Sequence, residues 1–537
     1  MRRFLCSLSF IRSLAVRTAL IICVVFPWNL ELIASMSALN QHTPTVIIVG
    51  SGLAGLSAAS AALRSNVGAV VLLERATKPG GNSIKASSGI SAAPTRFQAL
   101  AQPPIQSLPD TMFFQDTVKS AGTRLSLVEP ERTHREALIS LLTQNSASAL
   151  DFLADDIGVD LSLVAQLGGH SIRRTHRGSG KTPPGADIVT KILAQLRQDS
   201  RFELKTGCEV TRILTTHSAQ LPIEHTVVTG VEYHPANHSA ELSTIMGPVV
   251  FATGGFAGDA RGMLAQYRPD LAGIPSTNDP RPGAHTLLTA IGAQLVDMDS
   301  VQIHPTGFVD PVNPACPLKF LAAEVLRGEG AILLRGGSRF VNELATREQI
   351  SNVVMGINSS HHGNTPRQWD VQILLDPGTC DAAASHVSFY IWKGLLTRKR
   401  IIDLDDTTRQ TIQHYSSIVA GNIQDPLGRK SFGHWSLHGD PGDNDREVCV
   451  GHVTPVTHFT MGGIVIDRAA RVLSSSLASQ VQRPIPGLWA AGEVAGGIHG
   501  DNRLGGSSLL ECVVFGRMAG QGAAALACQD GDQAVAA

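Results

Sequence analysis

Two arginines and two histidines in this 537-residue chain are of the types that grip a small dianion: His304 in "QIHPTGF", Arg347 in "NELATRE", His458 in "THFTMGG" and Arg503 in "HGDNRLGG". Guanidinium offers a planar fork that matches a carboxylate, and a dicarboxylate in a water-poor pocket needs several such groups. Glu324 and Arg327 stand three apart in "AEVLRGEG"; on a helix they share a face, which suits a proton relay. Plainer readings exist for most of the set. Arg347 can form a surface ion pair with Glu348 or Glu343, His304 before Pro305 can be a turn residue, and His458 a satisfied core histidine. Glu324 follows the apolar run "FLAA", where a carboxylate needs a partner or a function.

His458 and Arg503 lie in Gly-rich segments whose backbone can approach a flat cofactor. His304 and Arg347 come from the middle of the chain, so a substrate would be held between two domains. The cofactor elements are legible near residue 45. "TVIIVGSGLAGLSAASAALRS" reads as a strand (Thr45 to Val49), a G-x-G-x-x-G turn and an Ala/Leu-rich helix, followed by a second strand "AVVLLE". Gly50, Gly52 and Gly55, with Ser51, Leu53 and Ala54 between them, would bring backbone and a helix N-terminus to a pyrophosphate. Glu74, next to Arg75, would receive a ribose hydroxyl.

The small-residue loop "KPGGNSIKASSGIS" adds Gly81, Asn82, Ser83, Ser87, Ser88 and Gly89. Nicotinamide enzymes do not need it, and it would admit an isoalloxazine ring, so FAD fits better than NAD. "VVFATGGFAGD" is either an ordinary α/β turn or the return of Thr253 and Gly254 to the cofactor. "PGLWAAGEVAGG" reads as a buried strand ending at Gly492 and Glu493, and Ser508 and Leu509 begin a Gly/Ala-rich helix whose first amides would face the flavin.

Lys+Arg at 44 against Asp+Glu at 45 leaves a formal charge of -1, so no basic field points to nucleic acid and the partners are small molecules. The eight cysteines are scattered without a C-x-x-C, and no metal, haem or iron–sulfur centre is expected. No apolar run is long enough for a membrane span. Residues 1–42 read as a targeting segment and linker: Arg2, Arg3, Arg12 and Arg17 precede the first acid, Glu31, as in a mitochondrial transit peptide. The apolar run Ala19 to Phe26 leaves a secretory leader open, and Met36 an internal start giving a cytoplasmic form.

From Thr45 to Ala525 the motifs "GGNSIKASSGI", "QIHPTGF", "FLAAEVLRGEGAILL", "RFVNELATRE", "TPVTHFTMGG" and "HGDNRLGG" occur in the order found in one family. The chain resembles the soluble fumarate reductases, which include the yeast enzymes and the flavin part of bacterial flavocytochromes, within the wider group of succinate dehydrogenase flavoproteins and aspartate oxidase. The resemblance implies an α/β fold: a Rossmann-like FAD-binding domain of glutathione-reductase type, at about 43–300 and 456–537, with an inserted α+β capping or clamp domain at about 301–455. It implies that reduced flavin N5 gives a hydride to fumarate while Arg347 protonates the other alkene carbon, with Glu324 and Arg327 resupplying the proton. His304, His458 and Arg503 would bind the carboxylates of fumarate and succinate.

The sequence departs from that pattern at three places. Ala323 replaces a threonine of bacterial members, and "RPGAH" puts Ala284 where many members have the acid of T-G-D-G. Asn82-Ser83 stand where succinate dehydrogenase flavoproteins carry a covalently linked histidine, so FAD is expected to be noncovalent. Without a haem motif, the electron donor would be free reduced flavin, NADH or a partner protein. Reduction of another activated alkene or a ketosteroid, or a catalytically silent electron carrier, are the alternatives. The basic segment "GGHSIRRTHRGSGKTPPGAD", Gly168 to Asp187, either reaches the flavin or is a solvated loop.

Overall fold

The computed structural model describes residues 43–536 except 102–104, 106–109, 127–128, 168, 181, 217–225, 236–241, 360–364 and 476–481. The expected targeting segment, 1–42, lies outside these residues. The chain opens as its pattern indicates. Strand β1 (Thr45–Val49) feeds helix α1 (Leu53–Arg64), which returns it to β2 (Ala69–Glu74), parallel to β1. Val46, Ile47 and Ile48 are fully buried, as expected for a parallel strand covered on both faces. β3 (Phe202–Thr206) pairs outside β2, and β4 (Val249–Phe251) pairs on the opposite side of β1.

The middle of the chain builds a second, antiparallel sheet. It contains β5 (Val301–Phe308), β6 (Ile332–Arg335), β7 (Val371–Leu375) and the long β8 (Glu447–Thr460), in the order β5-β8-β7-β6 with short strands at the edges. Two helices hang from it: α2 (Glu324–Glu329) and α3 (Arg347–Met355). β8 runs through the expected boundary at 455/456. Its first half pairs with the strand Thr397–Arg400 and its last half with β5.

The chain then rejoins the first sheet. β9 (Gln482–Ala490) lies parallel to β4, giving the order β9-β4-β1-β2-β3 with Arg471–Ser475 antiparallel at the β9 edge. The last helix, α4 (Ser507–Ala536), packs on α1 through small residues. A Cβ at Gly516 would lie 2.5 Å from the Ala54 oxygen and one at Gly520 2.1 Å from the Ala58 oxygen, so glycine permits this approach. The sheets have separate apolar cores, one with Ile47, Leu72, Phe251 and Phe515, the other with Leu333, Ile373 and Val453. Among the described residues no helix is long and apolar enough to cross a membrane.

Candidate active site

The C-terminal ends of β1, β2, β4 and β9 meet at one edge of the first sheet. They deliver Gly50–Gly55, Glu74 with Arg75, Thr253 with Gly254, and Gly492 with Glu493. β2 and β4 flank β1, so the connections leave in opposite directions and open a crevice there. The turn after β1 is steric in origin. A Cβ at Gly55 would lie 1.9 Å from the Gly50 oxygen, which only glycine avoids. The small-residue loop docks against this turn: Leu53 N donates to Ser83 Oγ at 3.1 Å and Gly80 N to Ser51 Oγ at 3.1 Å. Glu74 accepts from Ser51 N at 3.0 Å and Ser51 Oγ at 2.6 Å, so its carboxylate also braces the turn. Arg75 donates to the Pro282 oxygen at 2.7 Å, joining the crevice to the divergent "RPGAH" segment.

The crevice suits a long, polar, flat group. Gly52, Arg75, Ser83, Ser87, Ser88, Thr253, Gly254, Glu493 and Ser508 are partly accessible, and Gly81 and Asn82 are exposed, while Ser51, Ala54, Gly89 and Leu509 form the buried floor. Thr253 Oγ1 and Ser507 Oγ are buried without a partner, and the space where a Gly254 Cβ would stand is open. A dinucleotide with a ring system would satisfy those hydroxyls and fill that space. Glu493 accepts from Thr460 N at 3.0 Å and Thr460 Oγ1 at 3.2 Å; burial and the nearby Glu511 push its carboxyl up to about 7.

Where the two sheets meet, the cationic residues gather. Pairing of β5 with β8 sets His304 opposite Val456, and the His304 and His458 rings lie 5.9 Å apart, edge to face. Arg503, from the loop before α4, stacks over Phe459 at 4.5 Å and donates to Gln302 Oε1 at 2.9 Å, leaving its Nε buried and unpartnered. Arg347 is the first residue of α3, whose Thr346 N-cap and Gln349 form a capping box. Its Nε donates to Glu324 Oε2 at 2.7 Å, and its Nη2 bonds the same oxygen. The alternative partner Glu343 is taken by Arg339 and Arg429 in a buried network. Glu324 opens α2, and Arg327, one turn on, is buried, with Nη1 on the Glu343 carbonyl at 2.9 Å and Nε and Nη2 unpartnered.

Electrostatics follow from this crowding. Burial, then Arg347, Arg327 and His458, drive the His304 pKa well below that of an ordinary histidine. Burial, then Arg503 and Arg347, does the same to His458. Both rings are therefore neutral. Burial opposes ionisation of Glu324, but the Arg347 and Arg327 charges outweigh it and hold the carboxyl below the usual range. Burial lowers Arg503 and Arg327 to about 10, and the Arg347 charge adds to the effect in both.

Several supporting residues have no local signature in the sequence. Thr306 N–H donates to His304 Nδ1 at 3.3 Å, so the neutral ring carries its proton on Nε2, which is buried and unpartnered. Thr277 Oγ1 lies 3.1 Å from His458 Nδ1. The Tyr390 hydroxyl accepts from Ala323 N at 3.2 Å and donates to the Leu321 oxygen at 2.9 Å, which steadies the entry to α2. The basic segment is buried at its middle, while Ser179, Gly180, Thr182 and Pro183 further along it are exposed. Arg174, Thr175 and His176 are fully buried, because Arg174 is neutralised by Asp110 and Asp116, residues more than fifty positions away.

The chain matches the family model described as FAD binding domain over residues 45–509, which makes it an FAD-binding flavoprotein. It is 39% identical over 508 residues to the fumarate reductase of Schizosaccharomyces pombe, covering 91% of this chain and 90% of that protein. Over 490 residues it is 38% identical to fumarate reductase 1 of Saccharomyces cerevisiae, covering 89% and 97% respectively. The open conformation of a flavocytochrome c3 fumarate reductase superposes with a TM-score of 0.71 at 27% identity, over 93% of this chain and 81% of that one. Within the FAD-binding flavoproteins, the chain belongs to the fumarate reductase family.

Proposed function

We propose that this chain reduces fumarate to succinate, using FAD held without a covalent link. The observation that carries the reading is the cluster of Arg347, Arg503, His304 and His458, with Glu324 bonded to Arg347. Gathering guanidinium groups in an enclosed space is costly without an anion to offset them. A dicarboxylate brings two negative charges, whereas a ketosteroid brings none. The relatives named fumarate reductase support the same substrate.

Bound FAD, when reduced, supplies the hydride equivalent. His304 offers its Nε2–H and Arg503 its free Nε–H to the substrate carboxylates, orienting the alkene and drawing charge from it. Arg347 gives a proton to the second alkene carbon. Because guanidinium is otherwise always protonated, loss and replacement have to be coupled. Glu324 is in direct contact with Arg347 and its side chain is 37% exposed, so it can carry a proton in from water. Arg327 lies on the enclosed side of this pair, and its charge disfavours retention of the proton by Glu324.

In this reading residues 301–455 form a clamp over an FAD-binding part made of 43–300 and 456–537. Electrons come from free reduced flavin or NADH. The arginine-rich start of the chain directs it to mitochondria, with a cytoplasmic form from Met36 or a secretory route as alternatives. The test is anaerobic: reduce the flavoprotein chemically, add fumarate and follow the flavin spectrum. Fast reoxidation with one succinate per flavin is the expected result, and a flavin that stays reduced would overturn the assignment. Release of FAD on acid precipitation is expected of noncovalent binding.

A further inference from the structure

The basic segment that contains His170 and Arg174 has no part in the chemistry above, yet its centre is a closed polar cluster. The side chains of Arg174 and Asp110 are 0% exposed. Arg174 donates to both Asp110 oxygens, at 2.7 and 3.0 Å, and from Nη1 to Asp116 at 2.6 Å. The same Nη1 lies 2.8 Å from His170 Nδ1. Guanidinium has donors only, so Nδ1 must present its lone pair and the neutral ring carries its proton on Nε2. That Nε2–H donates to the Gly505 oxygen at 2.7 Å.

A second donor reaches the same carbonyl: Ser91 Oγ, at 2.9 Å. Its neighbours are held similarly. The Arg503 oxygen accepts from Gln302 Nε2 at 3.1 Å, the Leu504 oxygen from Arg503 Nη1 at 3.0 Å, and the Gly506 oxygen from Ser91 N at 3.1 Å. In a trans peptide the carbonyl and the following N–H point in opposite directions. Holding the Gly505 carbonyl on the His170 side therefore turns the Gly506 N–H the other way. Ser507 Oγ, next to this peptide at the start of α4, is buried and unpartnered. The result is a run of positive ends at the start of α4, on a flavoprotein whose cofactor gains negative charge on reduction.

We propose that His170 is a positioning residue: fixed as its Nε2–H tautomer by Arg174, it locks the Gly505–Gly506 peptide so that this loop favours the reduced, more negative form of the flavin. The inference rests on the FAD reading. Burial, with Arg174, lowers the His170 pKa to about 4, so the ring stays neutral and the lock holds across the working pH range. The groups facing the ring are Arg174, Asp116, Asp110 and the Gly505 carbonyl.

The test measures the flavin midpoint potential and the FAD dissociation constant of the full-length flavoprotein. His170→Ala is expected to lower the potential and weaken FAD binding several-fold. In His170→Gln the side-chain amide can still donate to Gly505 while its oxygen accepts from Arg174, so it should recover much of the loss. Ser91→Ala removes the other donor to the same carbonyl without touching the ion cluster; it should shift the potential in the same direction, and it decides the matter if His170→Ala does not fold. Unchanged potential and affinity in Ser91→Ala and His170→Ala, or a Gln variant no better than Ala, would overturn the proposal. A wild-type protein that binds no FAD would instead overturn the cofactor reading.

Discussion

Arg347 holds the least replaceable position in the cluster, because it touches Glu324 and its charge acts on His304, His458 and Arg503. Removing a positioned proton donor typically costs about 10²- to 10⁴-fold in rate. Arg347→Ala should therefore lose fumarate turnover by roughly that factor while FAD stays bound, as checked by steady-state rates beside the flavin spectrum. Turnover within a few-fold of wild type would remove it from the donor role. His304, Glu324, Arg327, Arg347, His458 and Arg503 were legible chiefly through the family motifs that carry them, since by residue type and spacing alone most of them had an ordinary structural reading. Their supports were not. Thr306, Thr277 and Tyr390 are ordinary residues whose importance comes only from what the fold brings beside them, and Glu343, one of the two alternative ion-pair partners for Arg347, is instead buried with Arg339 and Arg429.

At the scale of elements, the aim of Arg347 depends on how α3 begins. Thr346 accepts from Gln349 N, and the Gln349 side chain returns to Thr346 N at 3.1 Å, so two end amides are satisfied and the first turn is fixed. Thr346→Ala removes the cap at a cost of about 1 kcal/mol. Because the first turn carries Arg347, kcat is expected to fall more than the FAD affinity; equal loss of both would mean general unfolding and not a misaimed helix. The β1, α1 and β2 unit was readable because the glycine turn and the continuous apolar strands are local signals. The second sheet was not readable, since β8 pairs with strands drawn from residues 301–308, 371–375 and 397–400, and no local pattern encodes such pairing. The same limit explains Arg174: its basic surroundings left a flavin contact and a solvated loop equally open, and only the fold supplies the two aspartates that allow its burial.

For the whole molecule, burial of neutral histidines ties stability to pH. His170, His176 and His285 are each lowered to about 4, chiefly by burial, and both ring nitrogens of His285 lack a partner. In the unfolded chain the same rings titrate near 6.5. Between these values the unfolded state binds protons that the folded state refuses, so acid favours unfolding. Stability present above about pH 6.5 is lost as pH falls, and the loss from these rings is complete below about 4. Each pKa unit corresponds to about 1.4 kcal/mol, so a single ring can remove roughly 3 kcal/mol, a large part of the net stability of an ordinary domain. The thermal midpoint should therefore be flat from pH 8 to 7 and decline from 6.5 toward 5. His285 offers the sharpest check because it packs edge to face on Phe256 at 5.4 Å and makes no hydrogen bond that a replacement would lose. His285→Leu is expected to make the decline shallower without changing the midpoint at pH 8 by much. A variant as acid-sensitive as wild type would show that protons enter elsewhere, with the carboxylates of Asp116 and Asp425, both held below their usual range, as the next groups to titrate.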